Sequence, residues 1–373
     1  MQALTPVPAH IVNLADHEAE ASQRLDAATW AYLHGGAADQ LTRDANATAW
    51  QSLHLHPRVL RPLAESHTRV QVLGQTLAHP LLLAPTAYQR LAHPDGELAT
   101  ALAASAQQTG MVLSTQASCL LEDVAQLFLA QREPPQQTAP APLWLQLYLQ
   151  PRRDDTLALV HQAEAAGYEA LVLTVDAPLH GVRDAERRTG FRLPPHIRAV
   201  NLPTPLPDAT PTGLDASHTL QTLLAQAPTW DDVRWLVEQT RLPVLLKGIL
   251  HPDDARMALD CGAAGVIVSN HGGRTLDTAL PTATALPAIS SAVGSHITVL
   301  VDGGIRRGTD VFKALCLGAH AVLIGRPVLH GLAHSGAMGV AHVIRQLLDE
   351  FQVAMALCGV ATPQACSPQH LWH

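Results

Sequence analysis

The feature that most constrains this chain is a series of eight short apolar runs between residues 81 and 335. Runs of strand length that are apolar on both faces are typical of buried parallel strands. They cover residues 81–84, 111–113, 143–147, 170–175, 244–247, 266–268, 298–301 and 321–324. Amphipathic stretches separate most of them, most clearly at 97–109, 156–166, 230–240, 252–261 and 308–317. Eight strand–helix units over about 250 residues predict an α/β fold of the (β/α)8 barrel type, a TIM barrel.

The remaining residues predict additions to this barrel rather than a second domain. We expect a single domain over 1–373, with helices and a small hairpin in 1–80, the barrel in 81–335, and C-terminal helices and a tail in 336–373. In the N-terminal part, 13–50 predicts helices and 53–77 predicts the small strands.

Two segments interrupt the pattern. Residues 132–142 are rich in Pro and Gln and predict a solvent loop. Residues 188–228, after the fourth strand, are rich in Pro and Thr and predict a long irregular loop on the face that carries the strand ends. Such a loop is either a mobile lid or a disordered insert.

Charge and cysteine content argue against several classes of protein. The net charge of −8 and pI near 6.2 disfavour nucleic acid or an anionic membrane as the main partner. The five cysteines show neither CxxC pairs nor zinc-ligand spacing, so we predict no metal site. The reduced cysteines and the absence of a signal-peptide pattern predict a cytoplasmic protein. Most of the 21 histidines, among them His54, His56, His67 and His79, are predicted to lie on the surface.

The barrel prediction places functional side chains at the carboxyl ends of its strands. Polar and glycine residues follow the apolar runs at these positions, in register: Thr86, Ser114, Gln146, Tyr148, Thr174, Asp176, Lys247, Ser269, His271, Asp302, Gly304, Gly325 and Arg326. A random scatter of polar residues would not coincide with so many strand ends.

The hexapeptide Ser-Asn-His-Gly-Gly-Arg, residues 269–274, is the most informative of these strand ends. His271 can take a proton near neutral pH, and Arg274 can hold a carboxylate with two parallel hydrogen bonds. The pair indicates chemistry on a small acid that loses a proton. The alternative is that His271 is structural. Asp176 could orient His271 and stabilise its charged form, and Arg183 could face the same anion as Arg274.

Two glycine-rich turns, 301–308 and 324–327, indicate a phosphate site at the seventh and eighth strands. Bare glycine amides would approach the phosphate, a helix N-terminus would follow, and Arg306 and Arg326 would add charge. The alternative is a pair of tight turns with surface arginines.

Lys247 ends the fifth strand, where three roles are open. It could form a Schiff base, place its charge against a cofactor that gains electrons, or extend outward to solvent. Its neighbours at the adjacent strand ends favour an inward position.

Taken together, these motifs resemble the FMN-dependent α-hydroxy acid oxidase and dehydrogenase family, over about residues 32–359. The resemblance rests on residues 269–274, on Asp-Gly-Gly-Ile-Arg-Arg-Gly at 302–308, on Ile-Gly-Arg-Pro at 324–327, and on Ala-Pro-Thr-Ala at 84–87 with His-Pro-Asp-Gly-Glu at 93–97. It implies FMN as cofactor and oxidation of an (S)-2-hydroxy acid to the 2-oxo acid. It also implies a homotetramer.

The resemblance further implies a role for each site residue. His271 would be the base, Asp176 its partner, and Lys247 the charge beside the N1–O2 edge of the flavin. The substrate would contact Tyr32, Tyr148, Arg183, Arg274 and Gln116. The flavin would contact Thr86, Ala87, Ser114, Gln146, Thr174, Lys247, Ser269, Asp302, Gly304, Arg306, Gly325 and Arg326.

Departures from the family pattern affect the substrate and the acceptor. Gln116 stands where several members carry an aromatic residue, and Tyr88 stands where Met is common. Family oxidases tend to have Ala at position 87 and dehydrogenases Gly, so Ala87 predicts O2 as acceptor and H2O2 as product. The alternatives are a quinone-linked dehydrogenase, which would be membrane-associated, and a flavin-dependent isomerase on a similar barrel.

Overall fold

The computed structural model of the protein describes residues 3–132, 138–202, 221, 224 and 227–372. In chain order, its strands are β1 (His54–Leu55), β2 (Val70–Val72), β3 (Gln75–Leu77), β4 (Leu81–Leu83), β5 (Gly110–Ser114), β6 (Leu143–Leu147), β7 (Ala170–Thr174), β8 (Val244–Ile249), β9 (Gly265–Val268), β10 (Thr298–Val301), β11 (Ala321–Ile324) and β12 (Leu371–Trp372). Strands β4 to β11 are parallel and close into a barrel in which β11 pairs with β4. The predicted (β/α)8 barrel is therefore confirmed, strand by strand.

Strand register brings the polar end residues to one rim. Ser114 of β5 pairs with Gln146 of β6, and Thr174 of β7 pairs with Lys247 of β8. Because all eight strands run in the same direction, their carboxyl ends form one mouth of the barrel. The residues before these ends are almost all buried, since both faces of each strand are covered.

Helices cover the outside of the barrel and precede it. They are Leu14–Arg24, Ala27–His34, Leu41–Ser52, Gly96–Ala106, Leu121–Ala130, Arg153–Ala166, Asp184–Thr189, Trp230–Gln239, Pro252–Asp260, Thr282–Val293, Gly308–Cys316 and Arg326–Leu357. The five helices predicted between strands are confirmed, with ends that differ by up to three residues. The largest difference at a carboxyl end is at Ala106, where the prediction ran to 109. Gln108 has a left-handed backbone (φ 53°), which ends the helix before the chain enters β5.

The N-terminal segment supplies two further parts of the fold. Asn13 and Asp26 cap the first two helices, as their side-chain oxygens accept backbone N–H groups of the first turn. Strands β2 and β3 form the predicted hairpin. Its apolar residues Val70, Val72 and Leu77 pack against side chains inside the barrel. The hairpin therefore closes the end of the barrel opposite the mouth.

One long helix, Arg326–Leu357, follows the last barrel strand. It changes direction at Ser335 and Gly336, whose backbone angles are not helical. Within the described part of the chain, neither this helix nor another is long and apolar enough to cross a membrane. The division of the chain at residues 80 and 335 stays a prediction.

The two predicted loops lie partly outside the described residues, which omit 133–137 in the first and 203–220, 222–223 and 225–226 in the second. In the second loop the prediction starts too early. Arg188 and Thr189 belong to the helix Asp184–Thr189, which ends at Gly190 in the left-handed region (φ 66°). The two alternatives for this loop, a mobile lid and a disordered insert, stay predictions.

The expectation that His79 lies on the surface is wrong. It is buried at the closed end of the barrel. Its Nε2 lies 3.2 Å from the Gln107 carbonyl, and its Nδ1 accepts the Leu81 N–H. The apolar strand that follows does not reveal this position, because the burial of His79 depends on how the chain turns into β4.

Candidate active site

A histidine and a carboxylate form the centre of the barrel mouth. His271 lies three residues beyond β9, and its Nδ1 is 2.9 Å from Oδ1 of Asp176, which follows β7. The carboxylate therefore accepts a hydrogen bond from the Nδ1–H group, and this leaves Nε2 as the nitrogen available for proton transfer. His271 has a left-handed backbone (φ 56°), a conformation that is uncommon for a histidine and concentrates at functional sites.

Asp176 stays ionised in this setting. Burial alone would raise its pKa, but the neighbouring His271 and Lys247 lower it, and the net shift is downward. Gly248 makes room for the carboxylate, because a Cβ at Gly248 would lie 2.4 Å from the Asp176 Cβ. The site thus holds a fixed negative charge beside the imidazole.

Two arginines face the same part of the mouth. Arg274 donates from Nη1 to the carbonyls of Tyr32 (2.7 Å) and Gly35 (3.0 Å), and its guanidinium lies 5.3 Å from the centre of the Tyr32 ring. Burial, and then the charge of Arg183, lower the pKa of Arg274 to about 10. The predicted convergence of Tyr32, Arg183 and Arg274 is therefore present in the geometry, and it places donors where they could hold an anion, an arrangement called the arginine clamp below.

Tyr148 and Tyr32 lie beside Arg183 and Arg274 at the mouth. Burial, followed by the nearby Asp176 charge, raises the pKa of Tyr148, and burial raises that of Tyr32. Both phenols therefore keep their protons and can donate hydrogen bonds. The Tyr32 ring stacks on Phe191 at 4.4 Å and lies 6.3 Å from the Tyr88 ring. These aromatic rings give the pocket an apolar wall.

Lys247 points into the barrel, which excludes the outward alternative. Its Nζ lies 3.0 Å from Asp302 Oδ2 and donates to Ser269 Oγ at 2.9 Å. Burial would lower the pKa of Lys247, but the carboxylates of Asp302 and Asp176 raise it above its usual value. A lysine held protonated in this way is a poor nucleophile for a Schiff base, and it supplies a fixed positive charge instead.

A row of buried polar side chains lines the rim from β5 to β7. Ser114 Oγ donates to Gln146 Oε1 at 3.1 Å, and Gln146 Nε2 donates to Thr174 Oγ1 at 3.0 Å. Next to this row, Thr86 Oγ1 accepts from Gln89 Nε2 at 3.0 Å. Buried hydroxyl and amide groups that still carry lone pairs and protons suit a planar ligand with a polar edge.

The phosphate signature forms a strongly positive region. Burial, the largest cause, and nearby arginines lower the pKa of Arg326 well below its usual value; burial also lowers that of Arg306. Arg326 donates from Nη1 to the Gly272 carbonyl and from Nη2 to the Gly35 carbonyl, at 2.9 and 2.8 Å. Its buried Nε has no hydrogen-bond partner among the described residues. This charge imbalance and the unpartnered donor fit the phosphate of FMN.

Gly304 shows a second reason for the glycines of this signature. Its backbone is left-handed (φ 82°), and a Cβ there would lie 2.5 Å from backbone atoms of Asn46, in the helix Leu41–Ser52. The bare backbone is therefore required for packing of the N-terminal helix, whether or not its amide also binds a phosphate. The cofactor contacts of Gly304 and Gly325 stay predictions.

Sequence reasoning missed two parts of the site. Asn46 and Asn270 exchange reciprocal side-chain hydrogen bonds of 2.8 Å, which tie the N-terminal helix to the loop of His271. Glu186 Oε1 lies 3.1 Å from Arg183 Nη1 and 3.7 Å from Arg274 Nη2. The one sequence signal for the position of Glu186 was its i, i+3 spacing from Arg183. The Asn46–Asn270 pair gave no such signal, because it joins residues 224 positions apart.

Gln116 and Tyr88, the departures from the family pattern, lie beside each other. The Tyr88 N–H donates to the Gln116 carbonyl at 3.1 Å, and the Gln116 N–H donates to Ser114 Oγ at 3.1 Å. Tyr88 has a left-handed backbone (φ 51°). The two positions are thus coupled through their backbones, and a substrate contact by the Gln116 side chain stays a prediction.

A cluster lies near Arg306 and Arg326, the two predicted phosphate arginines. It has ligand-like geometry, but its surroundings are too positively charged for a metal ion. Atoms of Glu18, His34 and His330 lie within 4.8 Å of one another. Burial and then the nearby guanidinium groups, Arg326 foremost, lower the pKa of His34 to about 3. Positive charges that keep a proton off this ring also oppose a divalent cation. We assign this cluster no metal and interpret Glu18 as a counter-charge to Arg306 and Arg326.

Comparisons with known proteins identify the family. A family model described as FMN-dependent dehydrogenase matches residues 21–373. An L-lactate oxidase from Alicycliphilus denitrificans is 47% identical over 95% of this chain and 94% of its own. Glycolate oxidase 1 from Zea mays is 40% identical over 97% of this chain and 95% of its own. A crystal structure of mandelate oxidase with (S)-2-phenylpropionate superposes with a TM-score of 0.85 at 39% identity, over 97% of this chain and 98% of that one. The chain therefore belongs to the FMN-dependent dehydrogenase family, and it is an FMN-dependent oxidase of 2-hydroxy acids with oxygen as acceptor.

Proposed function

We propose that this oxidase acts on a small (S)-2-hydroxy monocarboxylic acid, with L-lactate as the preferred substrate. The observation that carries the proposal is the His271–Asp176 pair facing the Arg274–Arg183 clamp across one mouth. A base and a carboxylate site at the same barrel mouth match an acid whose hydroxyl is on the carbon next to the carboxylate. Three relatives of 46–47% identity are named L-lactate oxidase, which supports the choice of acid.

In the proposed mechanism, Arg274, Arg183 and the Tyr32 hydroxyl bind the substrate carboxylate. Tyr148 donates a hydrogen bond to the substrate hydroxyl, and His271 Nε2 accepts the hydroxyl proton. The imidazolium that forms is stabilised by Asp176, whose lowered pKa keeps the negative charge in place. The aromatic rings around Tyr32 limit the access of water to the reacting atoms.

FMN would be held along the rim and at the phosphate arginines. When bound, it supplies the two-electron acceptor for the substrate C–H bond and the site of reaction with oxygen. We propose that Lys247 places its positive charge beside the ring, where negative charge develops. The other proposed contacts are Thr86, Ala87, Ser114, Gln146, Thr174, Ser269, Asp302, Gly304, Arg306, Gly325 and Arg326.

The identity of the acid is tested by the rate at which each candidate bleaches the flavin absorbance without air. We expect L-lactate to act faster than glycolate or (S)-mandelate and D-lactate to have no effect, because the clamp and the base fix one face of the substrate. His271→Asn serves as the negative control. Faster bleaching by (S)-mandelate would contradict the choice of lactate. Bleaching by no 2-hydroxy acid would contradict the proposed roles of the site.

We also propose that the enzyme is a cytoplasmic homotetramer. Aliphatic side chains that are largely exposed in one chain support association, notably Val59, Leu60 and Leu357 at 79%, 101% and 71% exposure. Light scattering coupled to gel filtration tests the assembly, and a monomer mass would contradict it. Cell fractionation tests the location, and recovery with the membranes would contradict it.

A further inference from the structure

One carboxylate of the chain already lies in the arginine clamp. Glu186 Oε1 is 3.1 Å from Arg183 Nη1 and 3.7 Å from Arg274 Nη2. All three side chains are only 16–17% exposed, so solvent screens their interaction less than at the surface. The clamp therefore carries an internal negative charge as well as its two positive charges.

Local structure fixes Glu186 in this position. It lies in the short helix Asp184–Thr189, three residues after Arg183, and this spacing puts the two side chains on the same face. Gly181 holds the preceding turn against the loop of Arg274, because a Cβ there would lie 2.5 Å from the Arg274 carbonyl oxygen. The Ala185 Cβ lies 3.8 Å from the Cβ position of Gly35, beside Tyr32. The helix is thus anchored to both elements that carry the clamp.

The net charge of the clamp therefore differs from that around Arg306 and Arg326. Two guanidinium groups and one carboxylate leave one net positive charge at the clamp, which one substrate carboxylate neutralises. A ligand with a second carboxylate would bring another negative charge close to Glu186. Asp176, which lies 2.9 Å from His271, adds to the same repulsion, while Lys247 is balanced by Asp302.

We propose that Glu186 is a specificity-determining residue that restricts the clamp to ligands with one carboxylate and selects against dicarboxylates. The inference rests on the proposed function, since it assumes that Arg274 and Arg183 bind the substrate carboxylate. It adds the residue that sets the charge class of the acid, which neither the base nor the clamp arginines determine by themselves.

Oxalate and oxamate form a matched pair of probes, since they have nearly the same size but differ by one carboxylate charge at neutral pH. Binding of each to the flavin-loaded protein is followed by the change in flavin absorbance, so the readout does not depend on turnover. The variants are Glu186→Gln, which removes the charge, Glu186→Asp, which keeps it on a shorter side chain, and Glu65→Gln, a control at an exposed glutamate.

We expect Glu186→Gln to raise the preference for oxalate over oxamate roughly tenfold relative to the wild type, as expected for one nearby charge in a partly screened site. The preference of Glu186→Asp should lie between those of Glu186→Gln and the wild type. The preference of Glu65→Gln should match that of the wild type. An unchanged preference would overturn the proposal. Equal weakening of both ligands would also overturn it, because Glu186 would then only orient Arg183.

Bleaching by L-lactate is measured on the same samples. Its absence in the wild type would mean that the proposed function has failed, and a retained bleaching with an unchanged preference would mean that only the role of Glu186 has failed.

Discussion

Two arginine pairs lie at the same barrel mouth but differ in their internal counter-charge. Arg183 and Arg274 share contacts with Glu186, within 3.1 and 3.7 Å. In the part of the chain that the structure describes, Arg306 and Arg326 form no ion pair within 4.0 Å, and the nearest acidic influence comes from Glu18 and Asp310. Burial lowers the pKa of both Arg326 and Arg274, and that of Arg274 falls to about 10.

This difference suits the two arginine pairs to anions of different charge. The uncompensated pair is suited to a phosphate dianion, because full neutralisation requires two negative charges. The compensated pair is suited to a single carboxylate. We therefore propose that the two arginine pairs select their anions by charge. The following predictions test this comparison.

The largest effect is expected at His271, the proposed base. His271→Asn should retain FMN and lose about 10³-fold in the rate of flavin reduction by L-lactate, because general-base removal costs 10²–10⁴-fold. Rapid mixing without air measures the rate. His161→Asn, at an exposed histidine, is the control. A normal rate in His271→Asn would place the base elsewhere.

The next largest effect is expected at the compensated pair. Arg274→Lys keeps the charge but loses the fork that donates to the Tyr32 and Gly35 carbonyls, so we expect a loss of about 10²-fold in kcat/KM for L-lactate. Steady-state kinetics measure it against Arg188→Lys, an exposed change on the neighbouring helix. Unchanged kinetics would show that Arg274 is not the carboxylate clamp.

The uncompensated pair should affect the cofactor instead. Arg306→Gln should weaken FMN binding by about 30-fold and leave riboflavin binding nearly unchanged, because riboflavin lacks the phosphate. Quenching of flavin fluorescence by the apoprotein measures both. Arg307→Gln is the matched control, since Arg307 is exposed and pairs with Glu350. Equal weakening of both flavins would contradict a phosphate role for Arg306.

The barrel was predictable from sequence because its signal is local and repeated. Eight apolar runs and the polar residues that follow them define the strands and the mouth without knowledge of distant contacts. His271, Asp176 and Lys247 were predicted because each lies near the carboxyl end of an apolar run. Asn46 and Glu186 were not, because their roles depend on how the N-terminal helix and the loop after β7 pack on the mouth. His79 was misplaced for the same reason.

His79 offers a test at the closed end of the barrel, away from both arginine pairs. Burial lowers its folded-state pKa to about 4, whereas an unfolded histidine titrates near 6.5. The unfolded state therefore binds a proton between about pH 6.5 and 4, and stability falls as pH falls through that window. From pH 7.5 to 5.5, His79 should account for a loss of about 1.4 kcal/mol.

His79→Gln should remove this part of the pH dependence, so its unfolding free energy should fall less than that of the wild type over the same range. Chemical denaturation at both pH values measures the difference. His161→Gln, at an exposed histidine, should retain the wild-type pH dependence. The same dependence in His79→Gln would mean that His79 is protonated in the folded state.

The measurement that tests the central claim most directly is a two-step mixing experiment on the flavin-loaded enzyme. The enzyme is first mixed with L-lactate or D-lactate without air, and then with oxygenated buffer. We predict that L-lactate alone bleaches the flavin, that oxygen restores its absorbance rapidly, and that one H2O2 forms per flavin. No bleaching by L-lactate or another 2-hydroxy acid, or reoxidation by oxygen much slower than turnover with a quinone analogue, would contradict the account.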